Sequence, residues 1–117
     1  MPDRDLPTAL SRPLSEIKAD LFKALAHPAR VRVLELLSEG ERTVGEMQPL
    51  VGLESSHLSQ QLAVLRRMRL VTTRKVGSAV VYAIRDPAVV ELLAVAKRVL
   101  INSLSETEDL LADLRAE

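Results

Sequence analysis

The chain contains no cysteine. Disulfides, thiolate metal sites and thiol redox chemistry within it are therefore excluded. Histidine is almost as scarce, with His27 and His57 alone, so an all-protein zinc site would lean on carboxylates more than such sites usually do. Aromatic rings amount to Phe22 and Tyr82. Readers of single-stranded nucleic acid usually stack bases on aromatic platforms, and this chain lacks the rings to build one. No apolar run approaches the roughly 18 residues of a membrane span. From Met1 to Arg12 the chain carries Asp3, Arg4 and Asp5 and lacks the apolar stretch of a signal peptide, which predicts a cytoplasmic protein. Gly40, Gly45, Gly52 and Gly77 are scattered. They form no phosphate-binding loop, and neither a nucleophile–base pair nor a metal cluster is visible, so an enzyme is not expected and no cofactor is assigned.

What is present suffices for one folded domain: 117 residues, 47% of them hydrophobic and 27% charged. Lysine and arginine balance aspartate and glutamate at 16 each, which taken whole is no nucleic-acid footprint. The distribution differs. From Glu54 to Arg85 there are six bases (Arg66, Arg67, Arg69, Arg74, Lys75, Arg85) against Glu54, a net +5. From Asp86 to Glu117 seven acids face three bases, a net −4. Such asymmetry suggests one face for an anionic partner. An uneven scatter of solvated charge is the alternative.

Residues 1–13 hold Pro2, Pro7 and Pro13 among mixed charges and read as a loose arm, leaving 14–117 as the domain. Leu14, Ile17, Leu21, Phe22 and Leu25 recur at helical spacing to about Ala26. His27-Pro28 breaks the pattern, because the residue before proline is pushed out of the α region, and His27 reads as a structural residue of the junction. Pro28 suits the first turn of a second helix, whose apolar face carries Val31, Val33, Leu34, Leu36 and Leu37 and which Gly40 ends. Thr43 and Glu46 form a capping box for a short third helix with Val44, Met47 and Leu50, with Pro49 near its end. Gly52 marks a tight turn. Glu54 or Ser55 opens a fourth helix to about Met68, with Leu58, Leu62 and Leu65 facing inward. A short helix, a glycine turn and a longer helix with small polar residues at its start is the layout of a DNA-reading helix-turn-helix.

After Leu70 the period changes from about 3.6 to 2. Val71–Val76 and Val80–Arg85 flank Gly77-Ser78 as a β-hairpin, and Tyr82 alternates with apolar strand residues as a core residue does. Asp86-Pro87 then opens a helix that is apolar nearly all round through Ile101. A surface helix needs one apolar stripe, so a second covered side points to a second copy of the chain. Ser105 with Glu108 either caps a further helix to Leu114 or lies within a continuous one.

A reader of duplex DNA places donors and acceptors on a helix that enters the major groove. Ser55, Ser56, His57, Ser59, Gln60 and Gln61 lie on the first turns of the candidate helix. Ser55 serves equally as a cap. Arg74 and Lys75 on the hairpin reach toward phosphate or a minor groove, against the alternative of a solvated strand face. Arg66, Arg67 and Arg69 either favour the helix dipole or touch phosphate. His57 contacts DNA, joins Glu54 in an improvised metal site, or does neither.

Three stretches, LFKALAHPARVRVLELL (21–37), LESSHLSQQLAVLRRMRLV (53–71) and TRKVGSAVVYAI (73–84), resemble the ArsR/SmtB family of winged-helix repressors, and the likeness runs from Leu21 to Leu104. It implies a mainly α fold with a β-hairpin wing, a winged helix-turn-helix that dimerises through its first and last helices. Leu14, Ile17 and Leu21 of the first and Val89, Leu92, Leu93, Ala96, Val99 and Leu100 of the last would then form the interface. It further implies a two-fold symmetric double-stranded operator and repression relieved by a signal. The sensors of many relatives are missing. There is no cysteine pair on the helix-turn-helix, and on the last helix Asp86 is followed by Ala88, Val99 and Asn102 where the other ligands would be expected. No metal site is therefore expected, and Ser78 stands at the wing tip where a basic residue is common. The input stays open between an apolar ligand at the dimer interface, a weak Asp/Glu metal site and no ligand at all. The competing functions are a winged-helix module that binds another protein and a metal-responsive repressor with Asp, Glu and His ligands.

Overall fold

The computed structural model describes residues 12–105 and 108–117, with side chains of 108–110 left aside. Met1–Ser11, most of the expected arm, lie outside it. Arg12 belongs to the fold, since its guanidinium donates to Asp20 at 2.8 Å and pairs with Glu16 at 3.5 Å. The elements are α1 (Leu14–Leu25), α2 (Pro28–Ser38), β1 (Arg42–Thr43), α3 (Val44–Val51), α4 (Ser55–Arg67), β2 (Val71–Val76), β3 (Ala79–Ile84), α5 (Ala88–Ser103) and α6 (Glu108–Ala116). No helix among the described residues is long and apolar enough to cross a membrane.

Local chemistry sets the helix boundaries. His27 is extended (φ −147°, ψ 124°), as a residue before proline must be, and its Nδ1 accepts from Ala29 N–H at 3.1 Å. The junction residue is thus the N-cap of α2, with Pro28 in the first turn. The expected capping box is present: Thr43 Oγ1 accepts from Glu46 N–H at 3.2 Å, and Glu46 Oε1 accepts from Thr43 N–H at 2.8 Å. Gly52 closes α3 in the left-handed region at φ 77°, its N–H reaching Gln48 O at 2.9 Å.

The core is a single apolar cluster. Val33, Leu34, Leu36 and Leu37 of α2 meet Met47 of α3 and Leu58, Leu62 and Leu65 of α4, with Ala24, Leu70, Val71 and Val89 around them. No charged or polar residue is buried among the described residues. The two helices of the helix-turn-helix, α3 and α4, are thus held from inside by apolar contact alone.

The expected hairpin is one strand short of what forms. Arg42 and Thr43 pair antiparallel with Tyr82 and Val81, making a three-stranded sheet in the order β1-β3-β2. Two residues wedged between a helix end and a helix cap carry no readable alternation, which is why the pattern concealed this strand. The register separates the sheet's faces. Thr73, Tyr82 and Arg42 lie in one row and Arg74, Val81 and Thr43 in the next, so the two rows point to opposite sides. Tyr82 and Ile84 pack on the core. Val71 and Lys75 share their side by alternation, whereas Arg74 and Thr72 occupy the other. After a turn at Leu104 and Ser105, α6 is a separate helix. Whether Ser105 and Glu108 cap it falls on the undescribed junction.

Candidate nucleic-acid interface

Helical geometry divides α4 cleanly. Leu58, Leu62 and Leu65, four and three residues apart, are each 0% exposed. Ser55, Ser56, His57, Ser59, Gln60, Ala63, Arg66 and Arg67 are all exposed on the remaining arc. Ser55 is the first helical residue rather than the cap. Glu54 holds the cap position and makes no side-chain cap bond. The serine hydroxyl is therefore spared the capping role, and the first N–H groups of the helix have no intrahelical acceptor.

Gln61, also among the candidate DNA-contacting residues, is turned differently from Gln60. It stands three residues after Leu58 and four before Leu65, which turns it to the packed side. It is half-buried, and its Oε1 is sequestered without a hydrogen-bond partner.

A groove of about 420 Å³ runs between α4 and the wing, lined by Ser59, Leu62, Ala63, Arg66, Arg67 and Tyr82. Tyr82 is thus more than a core residue, since it packs on the cluster and also walls the groove. Its position on the strand gives no hint of this, because the groove exists only once the sheet is docked on α4. Of its lining residues Leu62 is buried, whereas Ser59, Ala63, Arg66 and Arg67 are exposed.

The cations of this region are not equivalent. Arg66, Arg67, Arg69, Lys75 and Arg85 make no ion pair with a carboxylate among the described residues. Arg74 does: its Nη2 and Nε donate to the two carboxylate oxygens of Glu41, the Nε contact at 3.3 Å. These hydrogen bonds, and then the charge of Glu41, raise the guanidinium further above its already high range. Arg69 closes α4 in the left-handed region at φ 62°. Its N–H reaches Arg66 O at 3.0 Å and Leu70 N–H reaches Leu65 O at 2.9 Å, the paired bonds of a Schellman turn with arginine where glycine is usual.

No three His, Asp or Glu side chains converge among the described residues. Asp86, at the first of the positions where the family resemblance would put last-helix metal ligands, is engaged by the backbone. Its Oδ1 accepts from Ala88 N–H at 2.9 Å and opens α5. Ala88 and Val99 carry no donor atoms at the positions that would complete such a site, so the residues present do not fit a divalent cation there.

Along the dimerisation set the structure makes distinctions. Val89 is buried in the chain's own core, and Leu21 and Leu93 pack against it half-buried. Ile17 and Leu92 are half-exposed, while Leu14, Ala96, Val99 and Leu100 are open. Phe22, Val90 and Val95, absent from the expected set, are also exposed.

Residues 27–73, from the cap of α2 into β2, match the family of bacterial regulatory proteins described as arsR. The HTH-type transcriptional regulator Rv0081 of Mycobacterium tuberculosis is 56% identical over 107 residues, covering 91% of this chain and 94% of that one. The chain belongs to the arsR family. The crystal structure of Rv0081 superposes with a TM-score of 0.76 over 81% of this chain and 96% of that one. A second solved structure, the homodimeric winged helix-turn-helix DNA-binding domain (fragment 1–100) of Mb0332 from Mycobacterium bovis, described as a possible ArsR-family transcriptional regulator, has 31% identity and a TM-score of 0.72, covering 80% of this chain and 86% of that one. The biofilm growth-associated repressor of Xylella fastidiosa is 37% identical over 75 residues, 64% of this chain and 66% of the relative. The protein is accordingly a transcriptional regulator with a winged helix-turn-helix domain, not an enzyme. The mainly helical winged fold read from the sequence is the fold it has.

Proposed function

We propose that the protein acts in the cytoplasm as a repressor that binds a two-fold symmetric DNA operator as a homodimer. The observation that carries this reading is the polar arc of α4. Ser56, Ser59 and Gln60 are exposed on a helix anchored from its opposite side by the fully buried Leu58, Leu62 and Leu65, so its polar arc is free. Ser55, His57 and the first N–H groups of α4 sit where phosphate would meet a helix start. Arg66 lines the groove and Lys75 lies on the wing, neither with a carboxylate partner among the described residues, and both serve phosphate, as does Arg74 once it is released from Glu41. Gln61 takes no part.

A single recognition helix reads too few base pairs for specificity, and two copies about a dyad double the site. Support for the second copy comes from α5. Val89 is its one buried residue, and Val90, Val95, Val99 and Leu100 are open to solvent at 37–56%. Leu14 of α1 is likewise open, at 60%. Such exposure on a helix of this apolarity favours a partner.

Gel-shift titration against duplex DNA from upstream of its own gene, at about 50 and 200 mM salt, tests the reading. Sequence-preferring binding that weakens by about a thousandfold or more between the two concentrations is expected for six or more phosphate contacts. Binding equal to that of a scrambled duplex, or none, overturns it. Light scattering tests the dimer. The same apolar surface would serve a different protein partner, and a chain that is monomeric at micromolar concentration would favour that alternative.

A further inference from the structure

Among the described residues, four of the five ion pairs join groups no more than eight positions apart, within or beside one helix. The fifth is different. Glu41 and Arg74 are 33 positions apart, and the pair forms only because β1 and β2 flank β3 from opposite sides. Arg74 lies on the sheet face turned away from Tyr82, so its side chain crosses over β3 to reach Glu41. The contact is two-pronged, Nη2 to one carboxylate oxygen and Nε to the other. A guanidinium engages a phosphodiester with the same fork, two parallel N–H donors to two oxygens that share one negative charge. Both partners are largely open, at 58% for the arginine and 45% for the glutamate, so the pair is accessible from solvent to a competing anion. Within the net +5 segment, Arg74 alone has a carboxylate partner among the described residues.

We propose that Glu41 is an intramolecular competitor of phosphate for Arg74, holding the wing's guanidinium until a DNA phosphate displaces it. The inference rests on the DNA-binding reading above. In the free protein, Glu41 neutralises one wing cation and so lowers the attraction of the wing for any polyanion. On DNA, the fork exchanges one anion for another. Glu41 is then left unpaired near the phosphates, and part of the gain from the new contact is cancelled. An exposed ion pair is weak enough for that exchange to occur at little cost. Glu41 thereby tempers non-specific affinity, which depends on phosphate contacts alone, and leaves base reading by α4 untouched.

The test is a double-mutant cycle by fluorescence anisotropy on the duplex retained in the gel shift, using the full chain, Glu41→Gln, Arg74→Gln and the double variant. Glu41→Gln is expected to tighten binding by about two- to fivefold per protomer, the range an exposed pair of this kind spans. Arg74→Gln weakens binding and lowers the slope of log affinity against log salt by about 0.9 per protomer. In the Arg74→Gln background, Glu41→Gln then has no further effect. Three results overturn the inference: no tightening in Glu41→Gln, equal tightening with and without Arg74, or no loss in Arg74→Gln. In each of these the wild type still binds DNA and the proposed function survives; a wild type without salt-sensitive binding sinks both. Both residues are exposed, so the variants fold. Arginine side-chain NMR on the wild type gives an independent readout, since the Arg74 Nε–H signal should move on adding the duplex, and a signal unchanged at saturation overturns the exchange.

Discussion

At the scale of single residues, two side chains show how local chemistry sets stability here. Arg69 sits at φ 62° in the Schellman turn that ends α4 and points the chain into β2. A side chain in that conformation costs about 1–2 kcal/mol, offset in part by the greater freedom glycine has when unfolded. Arg69→Gly should therefore stabilise the protein by about 0.5–1 kcal/mol, read as a higher midpoint in thermal or urea denaturation. A lower midpoint would mean that the arginine makes compensating contacts. Glu46 has its carboxyl held below the ordinary carboxylate range, first by the backbone N–H of Thr43 and then by the Thr43 hydroxyl, with Arg42 adding to the effect. A depressed folded-state value means that this contribution is present at neutral pH and is lost as pH falls through it. The stability gap between wild type and Glu46→Gln should shrink between about pH 6 and pH 3, as followed by urea unfolding at each pH. A gap constant across that window would contradict the assignment. The same capping box was legible as Thr43 and Glu46 three apart, because a capping box is a contact between near neighbours in the chain.

At the scale of elements, helical angle in α4 separates residues that are adjacent in the chain. Gln60 and Gln61 are adjacent and chemically identical, yet one is exposed and the other is half-buried with a sequestered oxygen. Gln60→Ala should cost about 1–3 kcal/mol of operator affinity if its amide reads a base, and gel-shift titration with matched and scrambled duplexes measures it. Gln61→Ala should leave DNA affinity within error and alter stability alone. A reversed pattern would mean that α4 lies in the groove on a different face. The inward leucines of this helix were readable from their spacing. The divided wing was not: Arg74 and Lys75 are neighbours in the chain, and only the strand register shows that they serve opposite sides of the sheet. Strand β1 was invisible for the same reason, since two residues acquire their identity from the strand they pair with.

At the scale of the molecule, α1 and α5 carry six of the nine exposed large apolar residues found among the described residues: Leu14, Phe22, Val90, Val95, Val99 and Leu100. Val99, at 56% exposure, contributes little to the chain's own core, so Val99→Glu should leave the protomer folded. It should also place a charge in the proposed interface. The expected result is a monomer by light scattering with an unchanged far-ultraviolet circular dichroism spectrum, together with the loss of tight operator binding. A dimer that persists in this variant would move the interface away from α5. Val89, by contrast, belongs to the core, and its replacement would destabilise the fold without reporting on association.

The amino-acid sequence by itself determined the helix order, the caps, the leucine stripe of α4, the hairpin and the absence of thiol chemistry. Each depends on periodicity or on contacts among residues close in the chain. Tertiary structure alone decided that Tyr82 walls a groove with Arg66 and Arg67 and that Val89 is spent on the core. It also decided that Arg74 is tied to a carboxylate 33 positions away. These depend on how the sheet docks on α4 and on which strands flank β3. Such long-range pairings bring together groups whose separation along the chain carries no trace of the contact.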